Sequence, residues 1–332
     1  MSVKYRIIQG VLQDYGRYLV LGVSLFGLLA SVQAQGSRAN SALSYIERGN
    51  DWLNKGEYER AIDDFSLAIA FDPRTARAYN NRGIARQGKG DLEGALADFN
   101  RALQIDPHHI SAIHNRGLLR DKLGDYEGAI ADFGRVLELD KRHDRALSNR
   151  ANARYAIGDS AGAIADGSAA LALNPRSHSA YVTRALARQA QHDLEGALAD
   201  LERALALDPK HAEDYFNRGN LHFEQGNLKD ALADYTRALA LDPKFADAYN
   251  NRGVIYVTQN RPDLAQADYD SALQLKPGSA NIYLNRGLTK LVQGRTKEAQ
   301  EDFDQCLALD QKLKLILQQR IELAKKLLSP GP

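Results

Sequence analysis

Apolar positions along this chain recur at helical spacing, and the helical stretches themselves recur. In one stretch Ala76, Tyr79 and Gly83 fall on one stripe, and Leu92, Ala95, Leu96, Phe99 and Leu103 on another. Gly90-Asp91 breaks the pattern between them, as Gly124-Asp125 and Gly226-Asn227 do further along. Steps of three and four residues predict helices and the break predicts a short turn, so each unit reads as a helical hairpin. An alanine returns every 34 residues, at Ala61, Ala95, Ala129, Ala163, Ala197, Ala231, Ala265 and Ala299. A ring follows four residues later at Phe65, Phe99, Phe133, Tyr235, Tyr269 and Phe303. Pro73, Pro107, Pro175, Pro209, Pro243 and Pro277 close six units, where the lost donor stops a helix. Upstream, Gly49, Gly83, Gly117, Gly219, Gly253 and Gly287, with Ala151 and Ala185 in the other two units, let two helices approach closely. A fixed period of this kind predicts an all-α solenoid in which each hairpin packs on its neighbours.

This set of period, glycine, alanine, ring and proline resembles the tetratricopeptide repeat family. The family's early tryptophan is replaced by Tyr45, Tyr79, Tyr181, Tyr215, Tyr249 and Tyr283, with Ile113 and Leu147 elsewhere. The resemblance implies a right-handed αα superhelix, first helices lining a concave groove and second helices outside. Eight repeats are expected at 42–75, 76–109, 110–143, 144–177, 178–211, 212–245, 246–279 and 280–313. A basic amphipathic stretch over 314–328 is expected to cap the last one, its stripe running through Leu313, Ile316, Leu317, Ile321, Ala324, Leu327 and Leu328, before a short tail at 329–332.

Two residue sets are invariant among the units. Arg48, Arg82, Arg116, Arg150, Arg184, Arg218, Arg252 and Arg286 are each followed sixteen residues later by an aspartate, from Asp64 to Asp302. The midpoint of Arg82 and Asp98 is the turn residue Gly90, so the two are expected side by side across the hairpin. Such a pair is a structural ion pair, or else the arginines form a ligand-binding row. Repeat four departs most from the pattern, with Ala151 for glycine and Gly167 for the ring, and is expected to be a soft point around residues 144–177.

Just before the arginine stands Asn81, Asn115, Asn149, Asn217, Asn251 or Asn285, with Glu47 in unit one and Thr183 in unit five. An amide at one height in successive repeats matches the donor and acceptor of a peptide backbone. It resembles the asparagine ladder in the repeat domain of O-linked N-acetylglucosamine transferase, which implies a grip on extended peptides. The same amides could instead bond the neighbouring repeat. Phe216, Asn220 and Phe223 share the expected groove face, and the two rings either anchor a partner's apolar side chain or bury against a neighbouring repeat. The carboxylate clamp by which related repeats hold the C-terminus of cytosolic chaperones is excluded: its places hold Ile46, Asn50, Asn81, Ser111 and Asn115, with no cation.

The chemistry read from composition is mostly negative. Forty-three Lys and Arg balance 42 Asp and Glu, which argues against nucleic acid as a partner. A lone Cys306 excludes an internal disulfide and occupies a packed alanine position. No catalytic constellation, phosphate loop or nucleophile elbow appears, and neither metal nor cofactor is expected. At the start, Lys4, Arg6 and Arg17 precede an uncharged run with an apolar core over residues 18–32, and Val32-Gln33-Ala34 offers a cleavage site before Gln35. Residues 1–34 thus read as a cleaved export signal or as an uncleaved membrane anchor, followed by a linker at 35–41. Either way the repeats face away from the cytoplasm, as a periplasmic or secreted protein or tethered through residues 18–32. The sequence therefore predicts an exported, non-catalytic scaffold that binds a protein or extended peptide in its groove. The alternative is a membrane-anchored assembly subunit of the cell envelope that uses its convex face or termini.

Overall fold

The computed structural model describes residues 40–328. The expected leader and the tail lie outside them. Contacts divide the chain into two compact units, Met1–Ala153 and Arg154–Pro332, so the division falls inside repeat four. The first unit holds α1 (40–54), α2 (Tyr58–Phe71), α3 (Ala76–Lys89), α4 (Leu92–Ile105), α5 (Ile110–Lys122), α6 (Tyr126–Leu139) and most of α7 (Asp144–Ala156). The second holds the end of α7, then α8 (Ser160–Leu173), α9 (His178–Ala190), α10 (Leu194–Leu207), α11 (Ala212–Glu224) and α12 (Leu228–Leu241). It continues through α13 (Ala246–Thr258), α14 (Pro262–Leu275), α15 (Ala280–Val292), α16 (Thr296–Leu309) and α17 (Lys314–Leu328). Among the described residues there is no strand, and no helix is long and apolar enough to cross a membrane. The fold is the expected all-α array of tandem hairpins.

Each hairpin turns through one left-handed residue. Gly56, Gly90, Gly124, Gly158, Gly226 and Gly294 supply it without a Cβ clash, and His192 and Asn260 take the same φ in the fifth and seventh hairpins. The second helix then starts on a side-chain cap: Asp91, Asp125, Asp159 and Asp193 each accept from the amide three residues on.

Glycine and ring in the core are complementary shapes. A Cβ added to Gly83 would lie 2.7 Å from the Phe99 ring, and one added to Gly219 or Gly253 would lie 2.8 Å from Tyr235 or Tyr269. The first helix meets the ring edge-on, and any larger residue would push the hairpin apart. Where the ring gives way to Leu201, the first helix carries Ala185, and the two share one buried cluster. In repeat four a Cβ on Gly167 would come within 3.3 Å of Arg184 Cβ. The next helix therefore approaches closely where the ring is missing, which offsets part of the packing loss expected there.

The invariant ion pairs form as expected, and are more deeply set than surface pairs. Arg82 Nε and Nη2 donate to both oxygens of Asp98 at 2.9 and 2.7 Å, and the same fork joins Arg48 to Asp64, Arg116 to Asp132, Arg184 to Asp200, Arg218 to Asp234, Arg252 to Asp268 and Arg286 to Asp302. Arg150 and Asp166 of repeat four are not free either. The aspartates are buried, so the small worth of an exposed pair does not apply to them.

At the C-terminal end Leu317 and Ala324 of α17 bury against Leu284, Leu291, Phe303 and Cys306. Burial raises the Cys306 thiol above its ordinary range, with Asp310 adding to it. Ile316 departs from the expected capping stripe. It is exposed together with Leu315 and Leu323, because the 3-10 turn Gln311–Leu313 sets the helix so that Leu313, Leu317 and Ile321 face the core instead.

Candidate peptide-binding groove

The first helices α3, α5, α7, α11, α13 and α15 carry the asparagine row, and most of the row is engaged with the chain's own side chains. In the first unit Asn115 Nδ2 donates to Asn80 Oδ1 (3.0 Å), Asn80 Nδ2 to Asn81 Oδ1 (2.9 Å), and Asn81 Nδ2 to Asn50 Oδ1 (2.7 Å). One amide relay thereby ties three successive hairpins. The second unit repeats it: Asn285 to Asn250, Asn250 to Asn251, and Asn251 to Asn220, each at 3.0 Å. Asn149 Nδ2 lies 3.1 Å from Nε2 of His114, the residue in the place of Asn80 one repeat on. Five of the six row amides thus reach back to whichever of two positions in the preceding first helix offers an acceptor.

Asn217 differs. The two back positions facing it in sequence register are Val182 and Leu186, neither with an acceptor, and among the described residues its amide has no side-chain hydrogen bond. Thr183, which takes the row position in unit five, is buried. The bonded asparagines are not exhausted. Asn115, Asn149 and Asn285 use Nδ2, and their Oδ1 atoms accept nothing among the described residues. Asn220 is the reverse: its Oδ1 takes two bonds, from Asn251 and from the Tyr235 hydroxyl at 2.8 Å, while its Nδ2 donates to nothing among the described residues.

The two candidate rings separate. Phe216 packs against Phe245 at 4.6 Å and Tyr235 at 5.8 Å between centroids, so it is held by rings of its own repeat, Phe245 being the residue that precedes α13. Phe223 remains exposed and lines a cavity of about 90 Å³ with Tyr235, Asn251 and Val254. Burial pushes the Tyr235 phenol up to about 12, so its hydroxyl stays a donor at neutral pH. In the first unit a larger cavity of about 650 Å³ opens on Asn80, Asn81, Asn115, His114, His143 and Arg145. Burial, reinforced by His143 and Arg145, lowers His114 to about 4. The ring is therefore neutral at physiological pH, as an acceptor for Asn149 must be.

The invariant arginines do not form a ligand-binding row. Their third nitrogen reaches the preceding hairpin, as Arg82 Nη1 to Ser66 Oγ (3.1 Å), Arg116 to Asn100 (2.9 Å) and Arg184 to Ser168 (3.0 Å) show. A second cation, absent from the sequence reading, completes the clamp in most units. Arg86, Arg120, Arg154 and Arg188 lie 2.8–2.9 Å from the same aspartates, and Lys290 lies 2.9 Å from Asp302. Its signal was in the chain, as an arginine four residues after the invariant one in four consecutive units.

Sequence models described as TPR repeat and tetratricopeptide repeat match residues 49–90, 76–109, 114–178, 188–226, 219–260, 246–279 and 280–313. The chain belongs to the tetratricopeptide repeat family. Its structure is similar to that of a tetratricopeptide repeat protein from Parabacteroides merdae, with a TM-score of 0.60 at 23% identity, over 75% of this chain and 99% of that one. It is similar also to a chain of the APC/C hetero-tetramer Cut9-Hcn1 (TM-score 0.62, 17% identity, 80% of this chain and 52% of that). PilF of Pseudomonas aeruginosa gives a TM-score of 0.56 at 19% identity over 62% of this chain and 94% of its own. At these identities the likeness concerns the fold. A comparison with curated proteins found no match.

For a tetratricopeptide array the arrangement offers one kind of chemistry. Half-buried carbonyl and amide groups stand at regular heights, oriented by bonds to the preceding repeat, with apolar surface beside them in the second unit. That surface can hold polar backbone by several weak hydrogen bonds, each worth about 0.5–1.5 kcal/mol.

Proposed function

We propose that this tetratricopeptide array is a non-catalytic scaffold that holds extended partner-protein segments along the asparagine rows of the first helices within its units. Family membership supports protein interaction as the broad role. The observation that supports the groove is the division of labour within the amides. Nδ2 of Asn115, Asn149 and Asn285 is anchored on the preceding repeat, which aims each Oδ1 away from that bond as an acceptor for a backbone N–H. Inter-repeat bonding and peptide contact are thus compatible in one residue. Asn217, whose amide has no side-chain hydrogen bond among the described residues, and the exposed Phe223 add an amide and an apolar anchor. The basic flank, the apolar run and the cleavage-site pattern read from residues 1–34 support export of the array, as a cleaved or as an anchored protein.

The test compares envelope proteins captured by the wild-type chain, by an Asn217→Ala/Phe223→Ala variant, and by a Leu67→Ser/Leu275→Ser variant on second helices. Phe223 is exposed and Asn217 has no side-chain hydrogen bond among the described residues, so that variant should fold normally and retain a specific partner at least about 10-fold less well, roughly 1.4 kcal/mol. Unchanged capture by it, together with loss in the second-helix variant, would move the role to the outer helices. Intact mass of the exported chain reads the leader: a start at Gln35 means cleavage, and a retained Met1 means an anchor.

A further inference from the structure

Two departures from the repeat meet at one point in the second unit. His178 opens α9 where five other repeats have Ala42, Ala76, Ala212, Ala246 and Ala280. Asp214 stands in α11 where five have Ala78, Ala112, Ala146, Ala180 and Ala248. Although 36 residues apart, they touch: His178 Nε2 lies 2.6 Å from Asp214 Oδ2. On the other carboxylate oxygen, His211 Nδ1 lies at 3.0 Å, and the two imidazole centroids are 5.0 Å apart.

His211 shows that this is more than a crowded turn. At the same repeat position His109 and His143 use Nδ1 to cap their helices, accepting from Ala112 and Ala146. His211 makes no such cap, and its Nδ1 turns to Asp214 instead. Asp214 itself is fully buried, yet it lacks the arginine fork that holds Asp98, Asp132 and Asp200. A buried carboxylate is held by paired groups or by a metal ion, and here both partners of Asp214 are imidazoles, side chains that themselves ligate metals.

We propose that His178, His211 and Asp214 bind a late first-row divalent metal ion of the zinc class, with a coordination position left open. The three donor atoms lie within 4.8 Å of one another. Bonds of roughly 2.0–2.2 Å to a central ion place tetrahedral donors about 3.4 Å apart, between the 2.6 Å of the shortest contact here and the 4.8 Å that bounds the set, so an ion would open the hydrogen bonds and draw the widest pair together. Two imidazole nitrogens and one carboxylate suit zinc, nickel or copper and leave calcium or magnesium too few oxygens. The protons now shared between carboxylate and imidazoles leave to solvent as the ion enters. Both histidines are part-exposed, so the ion has a route to the buried carboxylate.

The experiment titrates the untagged full-length protein with Co²⁺, reading the visible bands of a low-coordinate ion, and then displaces it with Zn²⁺. One ion per chain is expected, released by zinc. Asp214→Ala and His178→Ala each restore the residue that most repeats carry there, so both should fold. Each should weaken binding at least about 100-fold, since losing even an outer partner of a metal ligand costs 10–100-fold. Absence of the bands in the wild type would overturn the site, and so would bands of undiminished strength in either folded variant.

Discussion

The same four-asparagine relay is built twice, 170 residues apart, and its two copies have different surroundings. Asn50, Asn80, Asn81 and Asn115 in the first unit correspond to Asn220, Asn250, Asn251 and Asn285 in the second, with the same donors and acceptors. Around the first copy the aspartate of the middle repeat, Asp98, takes two guanidinium groups, from Arg82 and Arg86. Around the second, Asp268 takes Arg252, and Tyr256 replaces the second arginine. The ring under the first copy is Phe65, and under the second it is Tyr235, whose hydroxyl joins the relay. The backbone repeat dictates the relay, while the clamp and the ring are adjusted locally. The first copy is tied by charge and opens on a polar cavity; the second is tied by a phenol and keeps apolar surface exposed.

The largest effect should come from the clamps. Removing a buried carboxylate leaves its cations uncompensated, at a cost of about 3–5 kcal/mol. Asp98→Ala strands Arg82 and leaves Arg86 with only Asp91 at 3.6 Å, while Asp268→Ala strands Arg252 alone. Chemical denaturation should therefore place Asp98→Ala at the upper end and Asp268→Ala at the lower. Equal losses would mean that Arg86 adds nothing to the first copy.

Cutting the relay comes next. Asn80→Ala leaves Asn81 Oδ1 and Asn115 Nδ2 without their partners, and Asn80 is 4% exposed. We expect a loss of about 2 kcal/mol there and less at the more accessible Asn250, because an unsatisfied group costs most where water cannot replace the bond. An Asn80/Asn115 double-mutant cycle with no coupling would break the relay as a unit.

Much of this was legible in the chain before any coordinates. The 34-residue period marks hairpins, turns and the shape match of Gly83 with Phe99, and equidistance from the turn pairs Arg82 with Asp98. The partners of the row asparagines were not legible. Period places Asn81 and Asn115 at one height, but the bond runs 31 residues back in one case and 35 in the other, according to which earlier position has an acceptor. Phe216 and Phe223 look equivalent at helical spacing, yet Phe216 has Phe245 to pack on. The grouping of His178, His211 and Asp214 was missed because each histidine alone looks like a turn residue. The readable signal was that His178 and Asp214 both replace an alanine of the repeat.

A pH difference separates the copies further. His114 and Leu284 occupy equivalent positions 170 residues apart. His114 is lowered to about 4 in the fold from an ordinary 6.5, chiefly by burial. Its contribution is thus fully present above pH 6.5 and is lost as pH falls toward 4, since the unfolded chain takes up the proton first. His114→Asn keeps an acceptor for Asn149 and removes the titration. Its stability relative to the wild type should rise between pH 6.5 and 4 and hold constant above. A flat difference over that window would show that His114 titrates alike in both states.

The smallest and sharpest test exchanges one oxygen between the copies. Tyr235→Phe removes the hydroxyl that donates to Asn220 at 2.8 Å, but Asn220 Oδ1 still accepts from Asn251, and the ring still covers Gly219. Only one neutral hydrogen bond is lost, so the cost should be about 1 kcal/mol. Phe65→Tyr makes the reverse change beneath Asn50, whose Oδ1 accepts from Asn81 alone and has a lone pair to spare. If the two relays are geometrically equivalent, the new hydroxyl finds that oxygen, and the variant is neutral or gains up to about 1 kcal/mol. If the first copy is packed differently, the hydroxyl is buried without a partner and costs about 1–3 kcal/mol. The sign of that single change, read from thermal or denaturant unfolding, decides whether the phenol is a local addition to a common frame or a sign that the second copy is built to a different shape.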